Sequence, residues 1–376
     1  MLSYASLQEL ERELRGQVAL TMYVDGSVED PAAHTPWRVA LEDAIAAQRA
    51  ALAESPEHEQ EDGAGRAVFE RCVYRLREEL ALRRAAPRSA GYVAFIGAEG
   101  AVHAGPLPGR VPSLVAWERG IRVAPYLRVI ASFQPAIVAV VQTSGAQLYR
   151  VEEETCERID AVRTHARLRP VYHVGDDGPH ERSGPATRGR TAVDEVRRVT
   201  EAGLVRMVAE LAERIVCAVG SDAWVVIGGA PEAARRTVAA LPPALAARTW
   251  LAPMLSRHAS DAEIVRAARR GVATLRERQD KALVDAVMEQ AAADGLGVIR
   301  ADRTVYELHE RTVQELVLTP HFIEKHPGAA ETAIRAAFDQ RARAVVVSGD
   351  AAARLDTVAG GIGARLRFAR CAGPVR

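Results

Sequence analysis

The chain of 376 residues is long enough for two or three domains, and its 49 basic and 49 acidic residues give a formal net charge of 0. With 48% hydrophobic and 26% charged residues, the composition is typical of a folded globular protein and argues against intrinsic disorder. No stretch approaches the roughly 20 apolar residues that a membrane-spanning helix needs, so we expect a cytoplasmic protein without membrane contact. The four cysteines form no Cys-x-x-Cys pair, which argues against a zinc knuckle or a disulfide framework.

The first 127 residues predict a compact N-terminal α/β domain. Apolar periodicity and turn residues predict a strand at 17–25, helices at 37–52 and 66–84, a strand at 91–97 and a further strand at 102–106. Several prolines interrupt the segment 106–125, which therefore predicts irregular structure.

The middle of the chain contains the strongest strand pattern. Residues 136–142 and 147–152 alternate as a hairpin with one face toward solvent, and an almost continuous apolar strand follows at 223–229. Pro231 then opens a helix, and a strand near Thr249 completes the unit. The Gly228-Gly229 pair predicts a tight connection between strand and helix, because neither a Gly-x-Gly-x-x-Gly pattern nor a Walker lysine accompanies it.

A long polar loop, residues 163–192, separates this hairpin from an amphipathic helix. The loop holds six arginines against three acidic residues, which is a local balance of +3. Almost nothing apolar follows Val174, so we expect the loop to lie at the surface or against a partner. Thr191 and Asp194 resemble a capping box, and apolar residues at helical spacing up to Ile215 predict that one helix face is buried.

A basic loop on a rigid base fits an anionic surface, and phosphate-rich RNA is the commonest large one. On charge alone, an ordinary solvated loop is the simpler explanation. The candidate RNA-binding residues are Arg163, His165, Arg167, Arg169, His180, Arg182, Arg188 and Arg190.

The last part of the chain alternates helices with buried strands, which predicts an α/β/α sandwich. A long helix begins at Ser260 and ends at Asp294-Gly295, and strands are expected at 313–318 and 344–349 before the glycine-rich end at 358–368. These groups of strands and helices predict three α/β domains, at 1–127, 128–255 and 256–376.

The order of these elements over about residues 130–370 resembles the bacterial branch of the archaeo-eukaryotic peptide-release-factor and Pelota superfamily. The resemblance rests on the hairpin, loop and helix of 136–218, the strand at Trp224, the helix of 260–293, the segment 311–318 and the closing pattern at 360–368. It implies a central RNase H-like domain whose loop enters the peptidyl-transferase centre, and a third domain similar to kink-turn-binding proteins. Bacterial members include ribosome hibernation factors of the Balon type.

By this resemblance, the 163–192 loop would contact large-subunit ribosomal RNA near the peptidyl-transferase centre. A translational GTPase such as elongation factor Tu is the second partner implied, and no cofactor is expected. True release factors carry Gly-Gly-Gln at the loop tip, where it positions the water that cleaves the peptidyl ester. That motif is absent from this loop, and the glycine pairs at 228 and 360 are followed by Ala230 and Ile362.

Independent catalytic patterns are weak. His165, His173 and His180 share the loop with Asp176 and Asp177, but a metal site needs ligands fixed in geometry, so neither a metal site nor a catalytic residue is predicted. The sequence favours a translation factor without enzymatic activity that occupies the tRNA (A) site in hibernation, rescue or protection. The alternative is a hydrolase or nuclease that acts on peptidyl-tRNA or RNA through the same loop.

Overall fold

The computed structural model describes residues 2–25, 36–54, 62–82, 91–152, 155–164, 188–220 and 223–368. Three separate sheets lie in the N-terminal, central and C-terminal parts of the chain, which confirms the α/β class. Contacts divide the chain into two compact units, one of residues 1–133 with 277–376 and the other of 134–276. The three-domain division at 127/128 and 255/256 therefore stays a prediction.

The N-terminal sheet has four antiparallel strands in the order β3-β2-β1-β4. Its strands are β1 (Val18–Asp25), β2 (Gly91–Gly97), β3 (Gly100–Leu107) and β4 (Leu114–Arg119). The helices of this part are α1 (Tyr4–Leu14), α2 (Pro36–Glu54), α3 (Asp62–Leu82) and α4 (Ala124–Ser132).

The prediction that 106–125 is irregular is wrong in the middle of this segment, at residues 114–119. β4 lies there and pairs along β1, from Val18 with Arg119 to Tyr23 with Leu114. The strand has only six residues. It lies between Pro112 and Gly120, so its neighbours in sequence predict a turn while pairing with β1 stabilises a strand.

The two faces of the N-terminal sheet pack against different layers. On one face, Leu20 and Met22 pack with Phe69 and Leu76 of α3. On the other, a single apolar cluster contains Tyr23 of the sheet, residues of α1 and α4, and Phe338 from the C-terminal part of the chain. Residues near the two ends of the sequence therefore share one core.

The central sheet has five strands in the order β7-β6-β5-β8-β9. Its elements are β5 (Ala136–Gln142), β6 (Gly145–Glu152), β7 (Thr155–Arg163), α5 (Arg188–Ala218), β8 (Trp224–Gly229), α6 (Pro231–Ala240), α7 (Pro243–Ala246) and β9 (Thr249–Ala252). β5, β6 and β7 are antiparallel neighbours, whereas β8 runs parallel to β5 and β9 parallel to β8. Three antiparallel strands in sequence, followed by two parallel crossovers, form the RNase H-like arrangement that the resemblance implies.

The Gly228-Gly229 pair forms the tight connection predicted between β8 and α6. Gly229 has φ +106°, and a Cβ at this position would lie 2.0 Å from the carbonyl oxygen of Val141. The next amide, that of Ala230, donates to the same oxygen at 2.8 Å. Only glycine allows this approach of the two backbones.

Helix α8 (Asp261–Ala292) leads into the C-terminal sheet, whose strand order is β10-β13-β11-β12. The remaining elements are β10 (Gly297–Ile299), α9 (Ala301–His309), β11 (Val313–Leu318), α10 (Pro320–Lys325), α11 (Pro327–Asp339), β12 (Arg343–Val346), α12 (Gly349–Ala359) and β13 (Ile362–Leu366). On one sheet face, Val284 of α8 and Leu355 of α12 pack with Val317. On the other, Ile334 of α11 packs with Leu316, so the predicted α/β/α sandwich is confirmed.

Candidate nucleic-acid interface

The predicted RNA-binding loop leaves the central sheet at the end of β7 and returns at the start of α5. Arg163 is the last residue of β7, and its side chain is exposed. Arg188 and Arg190 lie in the first turn of α5. The other candidates lie outside the described residues, namely His165, Arg167, Arg169, His180 and Arg182.

The start of α5 differs from the prediction. The sequence places Arg188 and Arg190 in the loop and a capping box at Thr191, but the helix begins at Arg188. Thr191 is therefore inside the helix and cannot act as its N-cap. Arginine favours helix, so Arg188 and Arg190 extend the helix backward from Thr191 despite Gly189.

Hydrogen bonds fix Thr164, the residue that follows β7, to the central sheet. The amide of Thr164 donates to the carbonyl of Ser144 at 3.1 Å, and its hydroxyl lies 3.0 Å from the carbonyl oxygen of Thr143. The same hydroxyl lies 3.3 Å from the sulfur of Met207 in α5. The turn between β5 and β6, the end of β7 and the middle of α5 therefore meet at the base of the loop.

Helix α5 begins at Arg188, and its side chains are described from residue 197 onward. Among the residues from 197 onward, whose side chains are described, Leu204 is the first with a side chain in the core, and Leu211 and Ile215 follow on the same face. Arg188 precedes Leu204 by 16 positions, which is about 24 Å of helix at 1.5 Å per residue. The point where the loop returns to α5 therefore lies about 24 Å along the helix axis from Leu204.

Acidic residues around the base of the loop are held in ion pairs. Asp160 of β7 accepts from Arg214 of α5 at 2.6 Å, and this hydrogen bond, with one from the amide of Ala161, lowers the pKa of the carboxyl. Glu210 also pairs with Arg214, at 2.8 Å, and Glu201 pairs with Arg236 of α6. Arg214 and Arg236 thus partly neutralise these carboxylates. Arg197, Arg198 and Arg206 of α5 are exposed.

Acidic and histidine side chains are not grouped as metal ligands in the described part of this base. Within the described residues, no group of three or more His, Cys, Asp and Glu could hold a metal ion. The neighbouring strands β5 and β8 contain neither Asp nor Glu, so they do not provide the carboxylates that magnesium-dependent nucleases use. The histidines of the loop, with Asp176 and Asp177, lie outside the described residues. No helix in the described ranges has the length and hydropathy to cross a membrane.

Comparison with known proteins gives similarity to solved structures only. No protein-family model matches the chain, and no curated protein sequence matches it. The chain is similar to Pelota from Archaeoglobus fulgidus, with 16% identity over 75% of this chain and 80% of that chain and a TM-score of 0.34.

Two further structures are similar. One is archaeal Pelota in a ribosome-bound complex with ABCE1, at 14% identity, 74% and 73% coverage and a TM-score of 0.40. The other is Dom34 from S. cerevisiae, described as a translation termination-like factor that interacts with Hbs1, at 9% identity, 63% and 64% coverage and a TM-score of 0.42.

Proposed function

We propose that this chain is a ribosome-binding translation factor of the release-factor and Pelota superfamily that contacts ribosomal RNA with its 163–192 loop. The observation that carries the proposal is the base of the loop on an RNase H-like sheet. Thr164 is bonded to the turn between β5 and β6, and the loop returns to a helix anchored in the core by Leu204, Leu211 and Ile215. A basic loop held in this way can bring guanidinium groups to phosphates while its domain stays folded.

The proposed role follows from the absence of Gly-Gly-Gln. A loop without the glutamine that positions the hydrolytic water would occupy the peptidyl-transferase region without releasing a peptide. Such a factor would fill the tRNA (A) site during hibernation, rescue or protection of the ribosome in the cytoplasm. A translational GTPase such as elongation factor Tu is proposed as the second partner, by the same resemblance.

Competition with tRNA tests the proposed binding position. Vacant ribosomes and ribosomes that carry tRNA in the A site are titrated with the protein at equal salt concentration. Because two molecules cannot fill one site, occupancy by tRNA should lower the apparent affinity at least about tenfold, equivalent to about 1.4 kcal/mol. Equal binding to both ribosome preparations would exclude the A site as the binding position.

A release assay separates this function from the hydrolase alternative, which the Asp176-Asp177 pair and the histidines of the loop keep open. Ribosomes programmed with a stop codon and carrying a labelled peptidyl-tRNA should retain the peptide when the protein is added. A release factor with an intact Gly-Gly-Gln motif serves as the positive control. Release by this protein that is abolished by changes within 175–190 would instead favour the hydrolase.

A further inference from the structure

Arg197 of α5 lies on the helix face that packs against the central sheet, but its side chain is exposed. Leu204 and Leu211 follow it by seven and fourteen positions, and both are buried in the central core. Seven residues make nearly two turns of helix, so the three side chains lie on one face. This face is therefore open at Arg197 and covered at Leu204 and Leu211.

Arg197 also lies between the two ends of the loop. The loop leaves the sheet beside Met207, whose sulfur is 3.3 Å from the hydroxyl of Thr164, and it returns at Arg188. Arg197 is ten positions from Met207 and nine from Arg188, which is about 15 Å and about 14 Å along the helix axis. The same spacing places Met207 about 80° round the axis from Arg197. The side chain of Arg197 is therefore on the half of α5 where the loop leaves the sheet.

Carboxylates near Arg197 on the same helix are bonded to other arginines. Glu201, one turn further along α5, forms an ion pair with Arg236 of α6. Glu210 pairs with Arg214 at 2.8 Å. Among the residues that the structure describes, no carboxylate forms an ion pair with Arg197. Its guanidinium therefore keeps its donors for an external anion, and their planar arrangement matches a phosphate group.

We propose that Arg197 binds a phosphate of the same RNA that the 163–192 loop contacts, so that the interface continues from the loop onto α5. The inference rests on the proposed function, because it takes ribosomal RNA as the partner. Arg163 and Arg188 stand at the two ends of the loop, and Arg197 adds a guanidinium on the helix between them. Since α5 is anchored in the core by Leu204 and Leu211, binding at Arg197 orders less of the chain than binding by the loop does.

Ribosome binding by the Arg197→Ala variant tests this contact. Loss of one phosphate contact should lower the slope of log affinity against log salt by about 0.7–0.9, and the affinity at 0.1 M salt by about five- to eightfold. The fold should be retained, because the side chain of Arg197 is exposed and alanine favours helix. Sedimentation with vacant ribosomes at several salt concentrations measures both quantities, and circular dichroism checks the fold.

Arg206→Ala is the matched control on the same helix. Arg206 is exposed and lies nine positions from Arg197, which is about 180° round the axis, on the face away from the sheet. Its Nε donates to the carbonyl of Ala202, within α5, at 3.3 Å. The substitution removes the same charge from the opposite face, so the affinity and the salt dependence should stay close to those of the wild-type protein.

Equal losses of affinity in Arg197→Ala and Arg206→Ala would show an effect of net charge alone and would overturn the contact. A weaker affinity with an unchanged slope in Arg197→Ala would also overturn it, because a lost phosphate contact must lower the slope. A variant with Arg182, Arg188 and Arg190 replaced by alanine separates this inference from the proposed function. If that variant binds weakly while Arg197→Ala binds like the wild-type protein, the inference fails and the proposed function stands. If the wild-type protein does not bind vacant ribosomes, both fail.

Discussion

Phe338→Ala is expected to lower the free energy of unfolding by about 3–5 kcal/mol, because it leaves a cavity in the core that both ends of the sequence share. Phe338 is 1% exposed and lies in one cluster with Tyr23 of the N-terminal sheet and Leu316 of the C-terminal sheet. Its ring meets that of Tyr4 edge to face, with 5.7 Å between ring centroids. Alanine would remove this aromatic contact together with the packing of α11 against the rest of this cluster.

Denaturation in urea measures this effect, with Phe368→Ala as the control. Phe368 is 71% exposed, so its replacement should change the free energy of unfolding by no more than about 0.5 kcal/mol. Similar small losses for both variants would show that Phe338 does not occupy a shared core. Because residues of the two segments pack in one cluster, loss of Phe338 should destabilise the N-terminal and C-terminal sheets together.

The sequence predicts those elements whose pattern is long or strongly apolar. The strand of 136–142 and the long helix from Ser260 are both present within one or two residues, as β5 and α8. The prediction that one face of the hairpin meets solvent is wrong for β5, which is buried on both faces, whereas the burial of β6 alternates. Burial on both faces requires a continuous apolar run in β5, and a helix of 32 residues repeats its apolar stripe many times. Local pattern and tertiary packing agree in these elements.

The sequence does not predict elements that long-range contacts stabilise. β4 is short and depends on β1, which precedes it by about 90 residues in the chain. The start of α4 has no local side-chain cap, and the carboxyl of Glu331 in α11 accepts from the amide of Ala124 at 2.8 Å instead. β1 is far from β4 in the sequence, and Glu331 is far from α4, so a local sequence pattern does not reveal these contacts.

The position of Glu331 in the sequence could have identified it as a buried carboxyl. It precedes Ile334 by three residues and Phe338 by seven, so it lies on the apolar face of α11. A carboxylate at such a position indicates a buried polar contact, because unpaired buried charges are costly. The sequence gives no indication that the contact is the start of α4.

The candidate interface was predicted in composition but not in geometry. The arginine content of 163–192 follows directly from the sequence. The start of α5 at Arg188 does not, because Thr191 and Asp194 resemble a capping box and so predict a later helix start. The anchoring of Thr164 to the turn between β5 and β6 depends on strand register, which a single sequence does not reveal.

Simultaneous replacement of Arg182, Arg188 and Arg190 by alanine is expected to weaken ribosome binding strongly. Each arginine that contacts a phosphate releases a counterion, and contributes about 0.7–0.9 to the slope of log affinity against log salt. At 0.1 M salt the loss of three contacts should lower affinity by about 100- to 500-fold and the slope by about two to three units. The fold should be retained, since these residues precede the first described core residue of α5.

A matched variant replaces the same number of arginines elsewhere in the central unit. Arg235 is exposed on α6, Arg257 is exposed just before α8, and Arg270 is exposed on α8. Their replacement by alanine removes the same net charge without touching the loop. Its affinity and salt dependence should remain close to those of the wild-type protein.

Sedimentation with vacant ribosomes at several salt concentrations tests most directly whether the loop contacts ribosomal RNA. Wild-type protein, the loop variant and the matched variant are compared, with circular dichroism confirming that each is folded. The wild-type and matched proteins should pellet with ribosomes with the same steep salt dependence, and the loop variant should bind weakly with a shallower one. Absence of wild-type binding at low salt, or an unaltered slope in a folded loop variant, would contradict the proposed interface.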